Sequence, residues 1–98
     1  MNKFNQMVSI LEFLYSDVEV KIQYSKRWTE KDGLQPVVVI EASGMRGDDP
    51  PCDFHLAKEN SFEKALDEAL RQVKLMIQNE RTYHANSIAR CDELLNNI

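Results

Sequence analysis

The chain has 98 residues, 43% of them hydrophobic, and sets 12 lysines and arginines against 16 acids for a net charge of −4. That is the size of one domain with one ordinary core. The acidic balance argues against a protein that grips phosphate backbones through a broad basic face.

Phe4, Met7, Val8, Leu11, Leu14 and Tyr15 recur at the three-and-four spacing of one helical face, which predicts a helix over 3–15 with Asn2 or Asn5 as its cap. Ser16 and Asp17 break it. Val18, Val20, Ile22 and Tyr24 then alternate with Glu19, Lys21 and Gln23, the period-two pattern of a half-buried strand. Asp32-Gly33 is a turn signal ahead of the β-favouring run Val37-Val38-Val39-Ile40, so the two strands are expected to pair as a hairpin, with Pro36 at the start of the second. Trp28 and Tyr24 near the hairpin are expected to pack across the strands. Lys26 and Arg27 form a small basic patch beside Glu30 and Asp32.

Two glycines, two prolines and two aspartates fall in residues 43–51, a composition that predicts a long exposed loop. Cys52, Phe54 and Leu56 alternate with Asp53 and His55 as a third short strand. Asn60 followed by Glu63 has capping-box spacing, and Phe62, Leu66, Ala69, Leu70, Val73, Met76 and Ile77 line one face of the helix it opens. Asp67 and Arg71, one turn apart, are expected to pair on its solvent side. The segment 78–82 interrupts the apolar stripe, and His84, Ile88, Cys91, Leu95 and Ile98 resume it.

No glycine or proline follows Asn60, which favours one continuous helix to the C-terminus. A straight helix over 61–97 would be roughly 55 Å long, against a radius of gyration near 13 Å for a compact domain of this size. The helix would therefore overhang. The single domain 1–98 is expected to comprise a compact part, 1–78, and a helical extension, 79–98. The second stripe is covered either by a bend near Asn79 that lays the tail on the first helix or by a second copy of the chain. A homodimer through His84, Ile88, Cys91, Leu95 and Ile98 is the preferred reading, because burying each large apolar side chain contributes roughly 1.5 to 3 kcal/mol to a small domain.

The candidates for chemistry are sparse. His55 and His84 are the two histidines, and His84 and Cys91 on one helical face lie about 10 Å apart along the axis, too far for one metal ion. Asp48 and Asp49 are adjacent loop acids, and Gly44 and Gly47 do not sit between a strand and a helix as a phosphate-cradling loop requires. Cys52 and Cys91 have no metal or redox spacing and read as small buried apolar residues. No catalytic group, metal or cofactor is expected. The first residues lack a basic start followed by an apolar run, which predicts a cytoplasmic protein.

The order helix, strand, strand, strand, helix over the first 78 residues resembles the double-stranded-RNA-binding fold. That family carries a lysine cluster at the start of its last helix, where this chain reads Asn60-Ser61-Phe62-Glu63-Lys64-Ala65. The same order is similar to that of small acidic inhibitors encoded by phages and mobile elements, certain anti-CRISPR proteins among them. These readings lead to an α+β domain with a three-stranded antiparallel sheet, acting as a non-enzymatic protein-binding inhibitor or adaptor. Its contact residues are expected in the loops, at Lys31, Asp32, Met45, Arg46, Asp48 and Asp49. A nucleic-acid-binding accessory role is the alternative, and no membrane role is expected.

Overall fold

The computed structural model describes residues 2–96, apart from the side chain of Ser87. The elements follow the order α1 (Lys3–Leu14), β1 (Ser16–Thr29), β2 (Gly33–Met45), β3 (Cys52–Glu59) and α2 (Phe62–Asn96), the expected α+β arrangement. The strands form one antiparallel sheet in the order β1-β2-β3. Among the described residues no helix is long and apolar enough to cross a membrane.

Each helix begins where a side chain satisfies its free backbone amides. Asn2 Oδ1 accepts from Asn5 N at 2.8 Å and opens α1. Ser61 Oγ accepts from Lys64 N at 3.2 Å and opens α2, so the cap is Ser61 and not Asn60. Glu63 then sits in the first turn, where a negative charge favours the helix dipole. The helices run side by side in the same direction. Lys3 pairs with Asp67 near their N-terminal ends, and Leu14 shares a groove with Ile77 near the far end of α1. The expected Asp67–Arg71 pair does not form: Asp67 is taken by Lys3, and Arg71 reaches Glu68 at 2.6 Å.

The core lies between the helices and one face of the sheet. Met7 and Leu11 of α1, Val38, Ile40 and Ala42 of β2, Leu56 and Ala57 of β3, and Ala65, Ala69, Leu70 and Val73 of α2 are all buried. Ala65, Ala69 and Val73 follow at four-residue intervals on one side of α2, and their small size lets the helix pack closely into this core. Two bulges tune the sheet. The pairing shifts between Ser16↔Met45 and Glu19↔Ser43, with Asp17 at φ 51°, a left-handed conformation that Asp tolerates better than most residues. A second shift leaves Leu56 as an extra residue of β3, which explains how the neighbours Leu56 and Ala57 are both buried.

The strands are much longer than the alternating segments predict. β1 pairs with β2 from Ser16↔Met45 to Thr29↔Gly33, whereas β3 reaches along β2 only to Val38↔Glu59. The pairs from Ser25↔Val37 to Thr29↔Gly33 therefore form a two-stranded arm beyond the sheet, closed by a turn in which Gly33 takes φ 70°.

At the other end α2 continues unbroken through Asn79 for 35 residues. The described side chains of residues 81–96 are exposed, so the tail does not bend back onto α1. Arm and tail together stretch the molecule to 68 × 28 × 26 Å with a radius of gyration of 18.2 Å, well above the ~13 Å of a compact chain of this length.

Gly44 marks a close approach between β2 and the residue that ends α1. A Cβ there would lie 2.7 Å from Tyr15 Cβ, and Tyr15 is held against Phe54 with ring centroids 4.9 Å apart. Because the obstacle is the root of the tyrosine side chain, it cannot swing aside. Gly44→Ala is expected to lower unfolding free energy by about 1 to 3 kcal/mol in urea denaturation, while Ser43→Ala next to it changes stability by less than about 0.5 kcal/mol.

Candidate functional site

The sheet face that α1 and α2 cover does not end where the helices end. Residues directly opposed in an antiparallel pair share a face, so Ile22, Tyr24, Lys26 and Trp28 of β1 face the same way as their partners Ile40, Val38, Pro36 and Leu34 of β2. Val38 and Ile40 are buried, but further out the same face is open: Tyr24 is 64% exposed, Trp28 67% and Leu34 64%. A core-type surface thus continues onto a free arm. Ile22 bridges the covered and uncovered parts, and Phe62, at the start of α2, is also exposed.

The arm also carries charge. Between Ser25 and Val37 the chain has Lys26, Arg27 and Lys31 against Glu30 and Asp32, a local +1 in a chain of net −4. The rest of the molecule is correspondingly acidic. Tyr24 and Trp28 do face cross-strand neighbours as expected, yet those pairs lie on an open face. Alternation alone does not say how far a covering helix reaches, and for that reason the arm was not apparent in the sequence.

The predicted loop contacts are divided between two ends. Lys31 and Asp32 sit in the arm's closing turn, where Asp32 N donates to Thr29 Oγ1 at 3.1 Å and Gln35 Nε2 donates to the Asp32 carbonyl at 2.7 Å. Met45 closes β2, and its carbonyl accepts from Ser16 Oγ at 3.2 Å. Arg46, Asp48 and Asp49 follow it in an exposed turn, with Asp49 N donating to the Arg46 carbonyl at 3.2 Å. The 13 residues of β2 separate the two sets, roughly 40 Å at about 3.3 Å per residue, so they lie at opposite ends of the strand. Arg46 is moreover committed to Glu80 of α2.

The histidines do not converge. His84 Nε2 lies 3.0 Å from Glu80 on its own helix. His55 Nδ1 lies 3.8 Å from Glu41 Oε1, with side chains 57% and 48% exposed. Both belong to a shallow cleft on the open sheet face with Glu19, Lys21, Ser43 and Asp53. At that exposure the interaction is screened by water. Among the described residues no group of histidine, cysteine and acidic side chains could hold a metal ion.

Three side chains, Lys3, Glu68 and Arg71, have proton affinities displaced by their partners, with Arg71 raised by its hydrogen bond to Glu68. Glu68 is held down at about 2, chiefly by the hydrogen bond from Arg71 and then by that from Gln72, and Lys3 is raised, first by its hydrogen bond to Asp67. All three groups belong to exposed ion pairs on the helices, away from any cleft that could hold a substrate.

Of the predicted dimer residues, His84, Ile88, Cys91 and Leu95 project from the exposed tail, and Ile98 lies outside the described residues. Ile88 and Leu95 are 64% and 69% exposed, and Leu94 beside them is open as well. Comparison with protein-family models, with curated proteins and with solved structures finds no match to this chain.

The cysteines depart from expectation. Both Cys52 and Cys91 are exposed, Cys52 because it starts β3 at the open end of the sheet and Cys91 because its helix has left the core. The Cys52 thiol is therefore expected to react with a thiol-specific reagent in the folded protein at a rate close to that in denaturant, and Cys91 to do so only where the tail of α2 is uncovered. A thiol that reacted only after unfolding would show that its surface is covered in solution.

Proposed function

We propose that this chain is a non-enzymatic protein-binding module, an inhibitor or adaptor of the kind that phages and mobile elements encode, which presents the β1–β2 arm to its partner and pairs with a second copy through the tail of α2. The observation that carries the reading is the uncovered arm face, with Trp28 and Leu34 exposed on the projecting ribbon and Tyr24 exposed at its base. Tyrosine and tryptophan are the side chains that most often anchor protein interfaces, because each offers a large rigid surface at small entropic cost. The flanking lysines and Arg27 suit a partner whose receiving groove is apolar with an acidic rim.

The same arm favours one second reading. Tyr24 and Trp28 with Lys26 and Arg27 also make a stacking surface with cations beside it, the chemistry by which single-stranded nucleic acid is held. Such binding would weaken steeply with salt.

Two measurements test these readings. Affinity capture from the native host, followed by titration of the purified pair, is expected to yield a partner whose binding falls at least thirtyfold in the Tyr24→Ala/Trp28→Ala variant, on the ~2 kcal/mol scale of an interface anchor. A partner bound equally by the double variant would remove the arm from the interface. A single-stranded oligonucleotide bound at low salt and lost in the same variant would transfer the reading to nucleic acid. For self-association, the wild type is expected to sediment as a dimer and the Ile88→Asp/Leu95→Asp variant as a folded monomer. A monomeric wild type would end the dimer reading.

A further inference from the structure

Where α2 leaves the body of the molecule it forms a groove with the C-terminal end of α1. Phe13, Leu14, Ile77, Ala85 and Ile88 supply its apolar lining, and Phe13 is 75% exposed. Among the charges at its rim, Arg46 and Glu80 pair with each other and His84 lies against Glu80, while Arg81 also lines the groove. Resting on the self-association reading above, we infer that this groove is the seat for Leu94 and Leu95 of a second copy, the two α2 helices crossing in antiparallel directions.

The spacing along the tail supports this pairing. Ile77, Arg81, His84, Ile88, Cys91 and Leu95 follow one another at alternating intervals of four and three residues, the repeat that keeps one seam of a helix facing a partner helix. Set antiparallel, the seam closes on itself: Ile77 opposes Leu95, Arg81 opposes Cys91, and His84 opposes Ile88, each layer repeated by two-fold symmetry. Every layer then contains at least one apolar or small side chain. Set parallel, the same seam stacks Arg81 on Arg81 and His84 on His84.

Charge separates the two arrangements further. A parallel pair brings Asp92 and Glu93 alongside their own copies, whereas an antiparallel pair carries Arg81 of each chain to Asp92 of the other. Position decides in the same direction. In a parallel pair the tail tips lie together, far from the bodies, and Phe13 and Leu14 stay open to water. In an antiparallel pair each tip reaches the other chain's body, and the groove is filled.

Cys91 gives a test that needs no substitution on the seam. In the Cys52→Ser chain, mild oxidation of a parallel dimer would join Cys91 to Cys91, while the antiparallel dimer keeps these thiols apart and yields no disulfide-linked species. In a chain free of both native cysteines, mixing Ile77→Cys with Leu95→Cys is expected to give the mixed disulfide as the dominant cross-linked product, with neither variant cross-linking alone. Phe13→Asp, on the exposed surface of α1, is expected to raise the dimer dissociation constant at least tenfold with unchanged circular dichroism. A dimer that forms Cys91–Cys91 disulfide, or one indifferent to Phe13→Asp and lacking the mixed product, overturns the antiparallel seat but leaves self-association standing. A wild type that is monomeric throughout the concentration range overturns both.

Discussion

The packing of α2 against the sheet and α1 is the contact on which the other features depend. Ala65, Ala69 and Val73 are fully buried against the sheet face that carries Val38, Ile40 and Ala42. Small side chains on the helix admit a close approach, and the branched residues of β2 fill the space between. That contact uses only the first third of α2 and the inner part of β2. Both elements continue, α2 to 35 residues and β2 to 13, while α1 stops at 12 and β3 at 8. The unequal lengths leave an arm at one end and a tail at the other.

Those two projections differ in chemistry, and the difference follows from what each lacks. The arm is a sheet face without helices, so its exposed surface is built from large flat side chains with lysines and an arginine nearby. The tail is a helix without a sheet, so its exposed surface is a narrow seam of Ile88, Cys91 and Leu95 with Asp92 and Glu93 beside it. A two-stranded ribbon and a lone helix are each marginal in water unless something covers them. Their extent here, with apolar side chains 59 to 69% exposed on both, is the physical reason to look for partners at the two ends rather than for a pocket in the middle. The charged residues along β1 have a second effect: β1 is an edge strand, and Lys21, Lys26 and Arg27 discourage indiscriminate strand pairing.

Much of the fold was legible in the sequence because its signals are local. The period-two run from Val18 to Tyr24 marked β1, the stripe from Phe62 to Ile77 marked the packed part of α2, and the absence of glycine or proline after Asn60 predicted its continuity. The strand ends were not legible, since Lys26 and Arg27 on β1 and Ser43 and Gly44 on β2 read as loop while hydrogen bonding to β2 and β1 carries the ladder through them. The choice of Ser61 over Asn60 as the cap, and of Lys3 over Arg71 as the partner of Asp67, depends on chain direction and on a neighbour 64 residues away. The site was legible only in pieces. The turn at Lys31 and Asp32 marked the tip of the arm, but the open face behind it depends on where β3 and the helices stop, which no local pattern encodes.

Joining the two projections in one assembly has a consequence for how the arm would act. Arm and tail lie at opposite ends of the long axis, so a two-fold pairing through the tails sets the two arms on the far ends of the particle, facing away from the shared seam. Neither arm then obstructs the dimer contact, and both can be engaged at once. A target that is itself two-fold or repeating, with sites spaced to match, would be held by both arms, and the second attachment would cost far less than the first because the arms are already joined. A monomeric target would gain nothing from the pairing. On the proposed reading, then, this geometry would couple self-association through the tail to the symmetry of the target that the arms engage.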